Sequence, residues 1–502
     1  MSEITARKTL YNYQEEAINS IFYALEEAPS NYHLLFQLPT GGGKTVIFSE
    51  IVRRYIERTK KKVVVLTHRI ELSKQTSRML TEFGVKNKVI NSQVKDLPDQ
   101  DEFMCFVAMV ETLNNRLQDG KLALDEIGMV IIDEAHYNSF SKLFQYFDNS
   151  VILGVTATPL SSNIKLPMKD NYNELITGCS IKQLIDEGFL AQANTYKYDV
   201  GLTSLKVGAS GDYTVKSSEE LYGHITMLDK LLHSYEEKAK GTKTLIFNNG
   251  INTSWHVYYT FKEAGHNVRH LDSTIGAQER KEILEWFKVT PDAVLTSVGI
   301  LTTGFDEPTI ETIIINRATK SLALYFQMIG RGSRILPEKK EFTVIDLGNN
   351  LLRFGLWDSY VDWQKIFKSP NYYLENIKTD EDIEMEFISA MSDAVRAKFA
   401  NSEVVEFDVR KEYKTVVRQG LKSKEALTRA MMQHAQICFE NSEDVYDAWT
   451  LANLLEEDIK YRVKQYSYCI MKSSKNYLNW LEEDYKKTLR STLNKMFVDT
   501  DE

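Results

Sequence analysis

Short apolar runs rich in β-branched residues recur through the first part of the chain. They lie at residues 63–66, 103–107, 129–132 and 151–153. Each run is followed by polar residues or by a glycine, which is typical of strands that are buried on both faces of a parallel sheet. The segments between the runs have the apolar spacing of amphipathic helices, so this part of the chain predicts an α/β domain.

The same alternation restarts after about residue 195. Its apolar runs lie at residues 244–247, 293–296, 312–315 and 342–345. Neither a short-period repeat nor a low-complexity linker stands out along the chain. We therefore predict a second α/β domain directly after the first.

The pattern changes beyond about residue 370, where strand signals end and long charged segments with helical spacing begin. One apolar stripe at helical intervals is formed by Leu481, Tyr485, Leu489, Leu493 and Met496. The chain thus predicts two tandem parallel-sheet α/β domains followed by a mainly helical accessory domain. Their predicted bounds are residues 1–192, 193–369 and 370–502.

Composition narrows the class of protein. The chain has 43% hydrophobic and 26% charged residues and no run of about 18 apolar residues that could span a bilayer. The first residues lack the basic and apolar regions of a signal peptide, so we expect a cytoplasmic location without a membrane partner. Four cysteines far apart in sequence predict neither a disulfide framework nor a zinc ribbon. A net charge of −9 argues against a passive nucleic-acid coat but not against a local phosphate-binding groove.

A glycine-rich loop at residues 36–45, Phe-Gln-Leu-Pro-Thr-Gly-Gly-Gly-Lys-Thr, joins a predicted strand at 34–36 to a predicted helix. Glycines let backbone N–H groups curl around phosphate oxygens, and the helix N-terminus adds partial positive charge. Lys44 can reach the β- and γ-phosphates of ATP, and the Thr45 hydroxyl can ligate Mg²⁺. The strict phosphate-loop pattern has a glycine where this chain has Leu38. The predicted phosphate-binding residues are Thr40, Gly41, Gly42, Gly43, Lys44 and Thr45.

The apolar run at residues 130–132 ends in Asp133 and Glu134, followed by an alanine and His136. The carboxyl ends of parallel strands line the ligand crevice, so we expect these acids beside the phosphate loop. Asp133 is predicted to hold Mg²⁺, and Glu134 to orient and deprotonate the attacking water. One acidic turn after a strand is common, but its place downstream of a phosphate loop favours the catalytic interpretation.

These residues resemble the superfamily 2 DEAD/DEAH-box helicases. Residues 133–136 are similar to the DEAH box, and Thr-Ala-Thr-Pro at 156–159 resembles motif III, which links the ATP site to nucleic-acid movement. Tyr13 and Gln14 resemble the upstream element in which a glutamine reads the adenine edge. A polar residue at a helix start is the alternative for Gln14. The resemblance implies two RecA-like lobes with ATP between them.

The second α/β domain carries a stretch that resembles motif VI of this family, Gln-Met-Ile-Gly-Arg-Gly-Ser-Arg at 327–334. Hydrolysis builds negative charge on the transferring phosphoryl group, and a guanidinium from the opposite lobe stabilises that charge. The resemblance makes Arg334 the arginine finger and Arg331 a second γ-phosphate contact. It also places Gln327 close to the attacking water.

Further stretches resemble the family's remaining motifs. Residues 301–308 resemble motif V, in which Asp306 is expected to contact the ATP ribose, and residues 245–249 resemble motif IV. The turns at 67–72 and 108–113 are expected to grip phosphates without reading sequence. The predicted nucleic-acid contacts are Thr67, His68, Arg69, Thr112, Asn248, Thr302 and Thr303. Solvated turn residues are the alternative for His68 and Arg69.

The sequence Ile-Asp-Leu-Gly-Asn-Asn at 345–350 resembles the bacterial RadD-like branch, whose pattern fits from residue 10 to about residue 358. The cysteine-rich zinc elements expected at a RadD C-terminus are missing from this sequence. The aromatic and basic residues near the C-terminus, among them Tyr466, Tyr468, Trp480 and Arg462, allow two interpretations. They form a stacking platform for single strands or, as we favour, a helical core under a charged face.

The motifs together predict an ATP-dependent helicase or translocase that uses ATP and Mg²⁺. Motif III and the glutamine that begins motif VI look more like those of DNA translocases than those of DEAD-box RNA helicases, so DNA is the favoured polymer. An RNA helicase is one alternative. Another is the motor subunit of a restriction or defence complex, which would bind a protein partner through its C-terminal helical domain.

Overall fold

The structure is a computed structural model, and two parallel sheets followed by a helical region make up its fold. It describes residues 9–26, 28–29, 31–91, 100–120, 124–161, 166–198, 200–202, 204–302, 305–385, 393–470 and 474–498. Within these ranges, no helix is both long and apolar enough to cross a membrane. The predicted fold class is confirmed.

The first domain, lobe 1, is built on a sheet of seven parallel strands. They are β1 (His33–Gln37), β2 (Lys62–Thr67), β3 (Asn87–Ile90), β4 (Cys105–Met109), β5 (Ile127–Asp133), β6 (Val151–Thr156) and β7 (Glu174–Thr177). Their order across the sheet is β3-β4-β2-β5-β6-β1-β7. This order puts β1, which leads into the glycine-rich loop, next to β6, and puts β5, which ends in the acidic pair, on the other side of β6.

Helices cover both faces of this sheet. They are α1 (Asn12–Glu26), α2 (Lys44–Thr59), α3 (Ile70–Glu82), α4 (Val110–Gln118) and α5 (Ile181–Asp186). Alternate residues of β1 point to opposite faces, so Phe36 packs with Phe48 of α2, whereas Leu35 packs with Leu113 of α4. Burial on both faces explains why the central strands are continuous apolar runs.

The second domain, lobe 2, has a sheet of six parallel strands. They are β8 (Gln192–Lys197), β9 (Thr244–Asn248), β10 (Val268–Leu271), β11 (Val294–Val298), β12 (Thr312–Asn316) and β13 (Glu341–Asp346), in the order β10-β11-β9-β12-β13-β8. Its helices are α6 (Val215–Tyr222), α7 (Ile225–Lys238), α8 (Ile251–Glu263), α9 (Ala277–Val289), α10 (Leu322–Ile329) and α11 (Asn350–Phe354). One continuous apolar cluster includes residues of both lobes, so the two domains pack directly against each other.

After lobe 2 the chain returns to lobe 1 through a short helix, α12 (Trp363–Lys368). Phe367 is buried in an apolar cluster of lobe 1, and Gln364 Nε2 donates to the carbonyl oxygen of Leu175 in β7 at 2.7 Å. Trp363 packs against the ring of Phe326 in lobe 2, with ring centroids 5.9 Å apart. This helix therefore ties the two lobes together.

The rest of the described chain is helical. The helices are α13 (Pro370–Asn376), α14 (Asp380–Met385), α15 (Asp393–Arg396), α16 (Val409–Arg418), α17 (Lys424–Glu440), α18 (Val445–Leu454), α19 (Glu456–Cys469) and α20 (Lys475–Val498). The predicted stripe lies on α20, where Leu481, Tyr485, Leu489 and Leu493 are buried. The helical domain contacts lobe 2 where the ring of Tyr468 packs on Gly201.

The interior of the helical domain contains a closed polar cluster. Asp458 Oδ2 accepts a hydrogen bond from Arg462 Nε at 2.7 Å and lies 2.9 Å from His434 Nε2, while the Tyr485 hydroxyl lies 2.9 Å from His434 Nδ1. Arg462, Tyr466 and Tyr468 are buried. For these residues the core interpretation of the C-terminal aromatic and basic residues is confirmed.

Candidate nucleotide site between the lobes

A cavity of about 460 Å³ lies between the lobes at the carboxyl end of the lobe 1 sheet. Lobe 1 contributes Gln14, Thr40, Gly41, Gly43, Lys44, Thr45, Asp133 and Glu134 to its wall, and lobe 2 contributes Asp306, Arg331 and Arg334. The structure thus brings together residues that were predicted from widely separated parts of the sequence. Of the other two residues predicted for the ATP site, Gly42 is buried in the loop, and Gln327 lies behind the acidic pair.

Two glycines of the loop occupy conformations that other residues adopt with difficulty. Gly41 has a φ of 90° and Gly43 a φ of 86°. A Cβ atom on Gly41 would lie 2.7 Å from Leu190, and one on Gly43 would lie 2.6 Å from the side-chain amide of Gln14. Both positions therefore require glycine for φ and for space, and α2 begins immediately afterwards at Lys44.

The Lys44 side chain lies under the loop. Its ammonium donates to the carbonyl oxygens of Leu38 at 3.3 Å and Pro39 at 3.5 Å. Burial lowers the pKa of Lys44, against the opposing effect of the nearby Glu134 and Asp133 carboxylates. A lysine held by weak contacts beside two acids is suited to bind an anionic phosphate group.

A group of aromatic side chains forms part of the cavity wall. The ring of Phe189 lies 4.5 Å from that of Tyr11 and 4.9 Å from that of Tyr13, measured between centroids. The Gln14 side chain accepts from the Tyr11 backbone N–H at 3.0 Å, as a residue at a helix start does, and also lines the cavity. Tyr11 and Phe189 were not predicted, because Phe189 belongs to no motif and meets Tyr11 only in the folded chain.

The acidic pair sits on a strained turn at the end of β5. Glu134 has a φ of 53°, and its N–H donates to Asp133 Oδ1 at 3.0 Å. Burial raises the pKa of Asp133 to about 7, and the charge of Glu134 adds to this effect. Burial also acts to raise the pKa of Glu134, but Lys44, His136 and Arg331 outweigh it and hold that pKa below its ordinary value. Glu134 is thus kept ionised, as a general base must be.

His136 connects the acidic pair to motif III and motif VI. Its Nδ1 lies 3.0 Å from the Thr156 hydroxyl and 3.4 Å from Glu134 Oε2, while its Nε2 lies 3.3 Å from Gln327 Nε2. Burial lowers the pKa of His136, and the charge of Glu134 opposes that effect. With its proton on Nδ1, the ring donates toward lobe 1 and accepts from Gln327 of lobe 2. His136 belongs to the stretch that resembles the DEAH box, but the sequence alone predicted no role for it.

The two arginines of motif VI enter the cavity from lobe 2. Arg334 donates through Nε to Asp306 Oδ1 and through Nη1 to the carbonyl oxygen of Gly41 in lobe 1, both at 2.8 Å. Arg331 donates to the carbonyl oxygen of Phe305, and burial lowers its pKa to about 10. Its Nε is buried and has no hydrogen-bond partner among the described residues. The cavity therefore presents two guanidinium groups opposite the phosphate loop.

Oxygen donors suited to Mg²⁺ meet in the same cavity. Thr45 and Asp133 both line it, and hydroxyl and carboxylate oxygens are ligands that this ion prefers. Glu134 Oε2 is buried without a hydrogen-bond partner in the part of the chain that the structure describes. These residues fit a metal ion with a bound water nearby.

Three of the predicted nucleic-acid contacts are interior residues. The Thr67 hydroxyl lies 2.6 Å from that of Ser73, and the Asn248 side chain donates to the Thr296 hydroxyl at 2.8 Å. Both side chains are buried. Thr302 is also buried, and its hydroxyl donates to the Gly299 carbonyl at 2.9 Å. These three side chains stabilise the segments at the ends of the strands. Direct contact with a nucleic acid would therefore come from the neighbouring backbone.

The remaining predicted contacts differ from one another. Arg69 donates across the lobes to the Ile300 carbonyl oxygen at 3.0 Å. The His68 ring packs against that of Tyr137 at a tilt of 42° with centroids 4.4 Å apart, and burial lowers the pKa of His68 to about 4. Thr112 is half-buried on α4. Thr303 lies outside the described residues.

Two family models match the chain. Residues 7–161 match the "Type III restriction enzyme, res subunit" family, and residues 223–336 match the "Helicase conserved C-terminal domain" family. The first match covers the phosphate loop, the acidic pair and motif III. The second covers motifs IV, V and VI.

Individual proteins are similar over the same region. The Saccharomyces cerevisiae protein "Putative ATP-dependent helicase IRC3" is 29% identical over 358 residues, which are 67% of this chain and 51% of that protein. The Escherichia coli "Type I restriction enzyme EcoAI endonuclease subunit" is 23% identical over 376 residues, 66% of this chain and 45% of that protein. The chain thus spans about half of the length of these relatives.

A solved structure shares the fold. A fragment of an HsdR subunit of a type I restriction enzyme from Vibrio vulnificus superposes with a TM-score of 0.54 at 21% identity. The superposition covers 71% of this chain and 69% of that fragment. The structure of that fragment shows the same fold, and the two family models match this chain in the order in which its motifs were found.

Proposed function

We propose that this chain is an ATP-dependent DNA helicase or translocase, which hydrolyses ATP to ADP and phosphate while moving along the nucleic-acid backbone. The observation that carries the proposal is the cavity in which Lys44 and Glu134 of lobe 1 face Arg331 and Arg334 of lobe 2. Such an arrangement makes hydrolysis depend on how the two lobes meet, which a motor requires.

Binding begins at the phosphate loop. The backbone N–H groups of the loop and the Lys44 ammonium bind the phosphates, while the ring of Tyr11 and the Gln14 amide are available to the base. Thr45 and Asp133 would hold Mg²⁺, which neutralises charge on the phosphates when it is bound.

Hydrolysis then uses groups of both lobes. Glu134 takes the proton of the attacking water, and its lowered pKa keeps it ready to do so at neutral pH. Arg331 and Arg334 stabilise the negative charge that develops on the transferring phosphoryl group. The Gln327–His136 contact lets the base respond to the position of lobe 2.

Movement follows from contacts that can form only when the lobes are close. Arg334 to Gly41 and Arg69 to Ile300 are such contacts, and both join lobe 1 to lobe 2. Loss of the γ-phosphate removes a shared ligand of the two lobes and favours opening. Backbone contacts at the strand ends would convert opening and closing into steps along the polymer without reading its sequence.

Two finer points belong to the same proposal. Placement in the RadD-like branch rests on residues 345–350, where Asp346 accepts hydrogen bonds from the backbone of Gly348 and Leu351 and so fixes the turn after β13.

A role as motor subunit of a restriction complex is the second candidate, supported by similarity to the EcoAI endonuclease subunit. The helical domain would then bind the protein partner, and either activity would take place in the cytoplasm.

The proposal is tested by the steady-state ATPase rate without polymer and with single-stranded DNA, duplex DNA, forked DNA or RNA. We expect stimulation by DNA and not by RNA. Glu134→Gln should lower the stimulated rate by about 10²- to 10⁴-fold, because it removes the general base. Stimulation by RNA alone would overturn the choice of polymer. ATP hydrolysis that ignores every polymer would overturn the motor itself.

A further inference from the structure

One lysine of lobe 2 is buried directly behind the arginines. Lys339 lies in the turn between motif VI and β13, and only 8% of its surface is exposed. Its ammonium donates to the carbonyl oxygens of Gly332 at 2.6 Å, Arg334 at 2.8 Å and Pro308 at 3.0 Å. An ammonium has three N–H donors and no acceptor, so these three carbonyls satisfy it fully.

The three carbonyl groups belong to the two segments that deliver lobe 2 to the cavity. Gly332 and Arg334 are in motif VI, and Pro308 ends motif V, which contains Asp306. The backbone at Gly332 is already pressed against the Phe342 ring, since a Cβ atom there would lie 2.3 Å from it. Lys339 and the Phe342 ring of β13 therefore both restrict the position of this loop.

Burying a lysine for this purpose is unfavourable in itself. An ammonium loses its hydration when it leaves water, and carbonyl dipoles offset that loss only when their geometry is good. Each of the three hydrogen bonds of the Lys339 ammonium ends on a backbone carbonyl of lobe 2. The effect of Lys339 on the cavity must therefore pass through the backbone that it holds.

We infer that Lys339 is a positioning residue, which holds the backbone of Arg334 and Pro308 so that the Arg334 guanidinium reaches the γ-phosphate. This inference rests on the proposed ATPase activity and adds a residue to it. Arg334 bonds at its side-chain end to Gly41 and Asp306 and at its carbonyl end to Lys339. Because Arg334 is held both at its backbone carbonyl and at its guanidinium, its side chain loses less conformational freedom when the lobes close.

The charge of Lys339 should make the rate depend on pH. Burial lowers its pKa to about 8, Glu311 and Glu307 oppose that effect, and Arg334 adds to it. Below this pKa the ammonium offers all three donors. Above it the neutral amine has only two, so one carbonyl loses its partner and kcat should fall as pH rises through this value.

The test compares Lys339→Met with Lys243→Met. Lys243 is a second buried lysine of lobe 2, whose ammonium donates to the Lys288 carbonyl oxygen at 2.7 Å and to the Thr309 hydroxyl at 2.8 Å. It touches no part of motif VI through these bonds. We expect Lys339→Met to lower the DNA-stimulated kcat by about 10- to 100-fold with KM for ATP changed by less than about threefold, and Lys243→Met to leave both near wild type.

A double variant separates positioning from general loss of structure. In an Arg334→Ala background, Lys339→Met should have little further effect on kcat, because the group that it positions is already gone. Lys339→Arg, which keeps the charge to higher pH, should move the alkaline fall of kcat upward, and Lys339→Met should abolish that fall. These readouts do not depend on a change in melting temperature.

The outcomes distinguish the two proposals. A wild-type chain without polymer-dependent ATPase would overturn the proposed function before any variant is compared. A wild-type chain that is active, together with Lys339→Met that matches Lys243→Met in kcat, would overturn the role of Lys339. Fully additive losses in the Arg334→Ala background, with an unchanged pH profile, would do the same.

Discussion

The cleft between the lobes and the interior of the helical domain both bury ionisable side chains, but they satisfy them differently. In the helical domain, Asp458 contacts both His434 and Arg462, and Tyr485 completes the cluster. In the cleft, Glu134 Oε2 is buried, and no described residue forms a hydrogen bond with it. The first cluster is enclosed by helices, where only Arg462 Nη2 of its four side chains lacks a partner among the described residues, and the second faces a cavity.

The difference has a physical meaning. In a closed cluster, hydrogen bonds offset the free energy that is lost when the charged groups leave water. Such a cluster therefore stabilises one arrangement of the helices. A buried carboxylate and guanidinium that face a cavity keep bonding capacity for a ligand, and the rest of the fold must offset their burial. Burial of charge alone therefore does not identify a functional site, whereas unused donors and acceptors that face a cavity indicate one.

The largest effect should come from the cleft. Arg334→Ala should lower the stimulated kcat by about 10³-fold or more, because it removes the charge that we propose to stabilise the transferring phosphoryl group. Steady-state ATPase assays measure this loss. The matched control is Arg280→Ala, since Arg280 is a partly buried arginine of lobe 2 that lies 3.7 Å from Glu71 of lobe 1 but does not line the cavity. A similar loss in both variants would mean that Arg334 serves only to join the lobes.

The next effect concerns the closed cluster. Asp458→Asn should destabilise the helical domain by about 3 kcal/mol or more, because it leaves the buried Arg462 charge without its carboxylate. Urea unfolding measures this change. Asp484→Asn, which breaks an exposed pair with Lys424, should cost less than about 1 kcal/mol. Loss of ATPase activity in Asp458→Asn while lobes 1 and 2 stay folded would show that the two regions are not separate.

A smaller effect should appear with acid. Burial lowers the pKa of His434 to about 3 from the ordinary 6.5, and Arg462 adds to this effect while Asp458 opposes it. The unfolded chain takes up a proton below pH 6.5 and the folded domain does not, so the stability is fully present only above that pH. It should fall by about 1.4 kcal/mol per pH unit below pH 6.5, which amounts to about 2 kcal/mol at pH 5. Unfolding of wild type and His434→Gln between about pH 7.5 and 5 checks whether this slope depends on His434.

The smallest effect is expected on the surface of the helical domain. Trp480 is half exposed, and the Lys424 ammonium lies 5.0 Å from its ring centroid. Trp480→Ala should change DNA affinity by less than about twofold, whereas a base stacked on the ring would be worth about 1–3 kcal/mol. A fluorescence-anisotropy titration with single-stranded DNA decides between the two. A loss of about tenfold or more would restore the stacking platform as the better interpretation.

The sequence predicted the interior of both sheets but not their edges. Every central strand was found as an apolar run, and the four strands that were missed are β3, β7, β8 and β10. These are the outermost strands of the two sheets. An edge strand has a partner on one side only and is partly exposed, so its residues are mixed and resemble a loop.

The residues of the candidate site were also predicted only in part from the sequence. The glycine-rich loop and the acidic pair are local motifs, so their chemistry can be predicted from residues that are adjacent in the sequence. The contact between His136 and Gln327, the position of Phe189 and the three carbonyls around Lys339 depend on how distant segments meet. No spacing in the sequence encodes those distances, because they arise from the packing of segments that lie far apart along the chain.

The return of the chain to lobe 1 through α12 decides where this protein can be shortened. A fragment that ended at Phe354 would retain every motif but lose Phe367 and the bond from Gln364 to β7. The edge strand β7 would then be exposed beside an uncovered apolar surface. Exposed edge strands and apolar surfaces favour aggregation. Ending the fragment after Lys368 keeps that cover in place. We therefore expect a fragment that contains the two lobes to aggregate less when it ends after Lys368 than when it ends at Phe354.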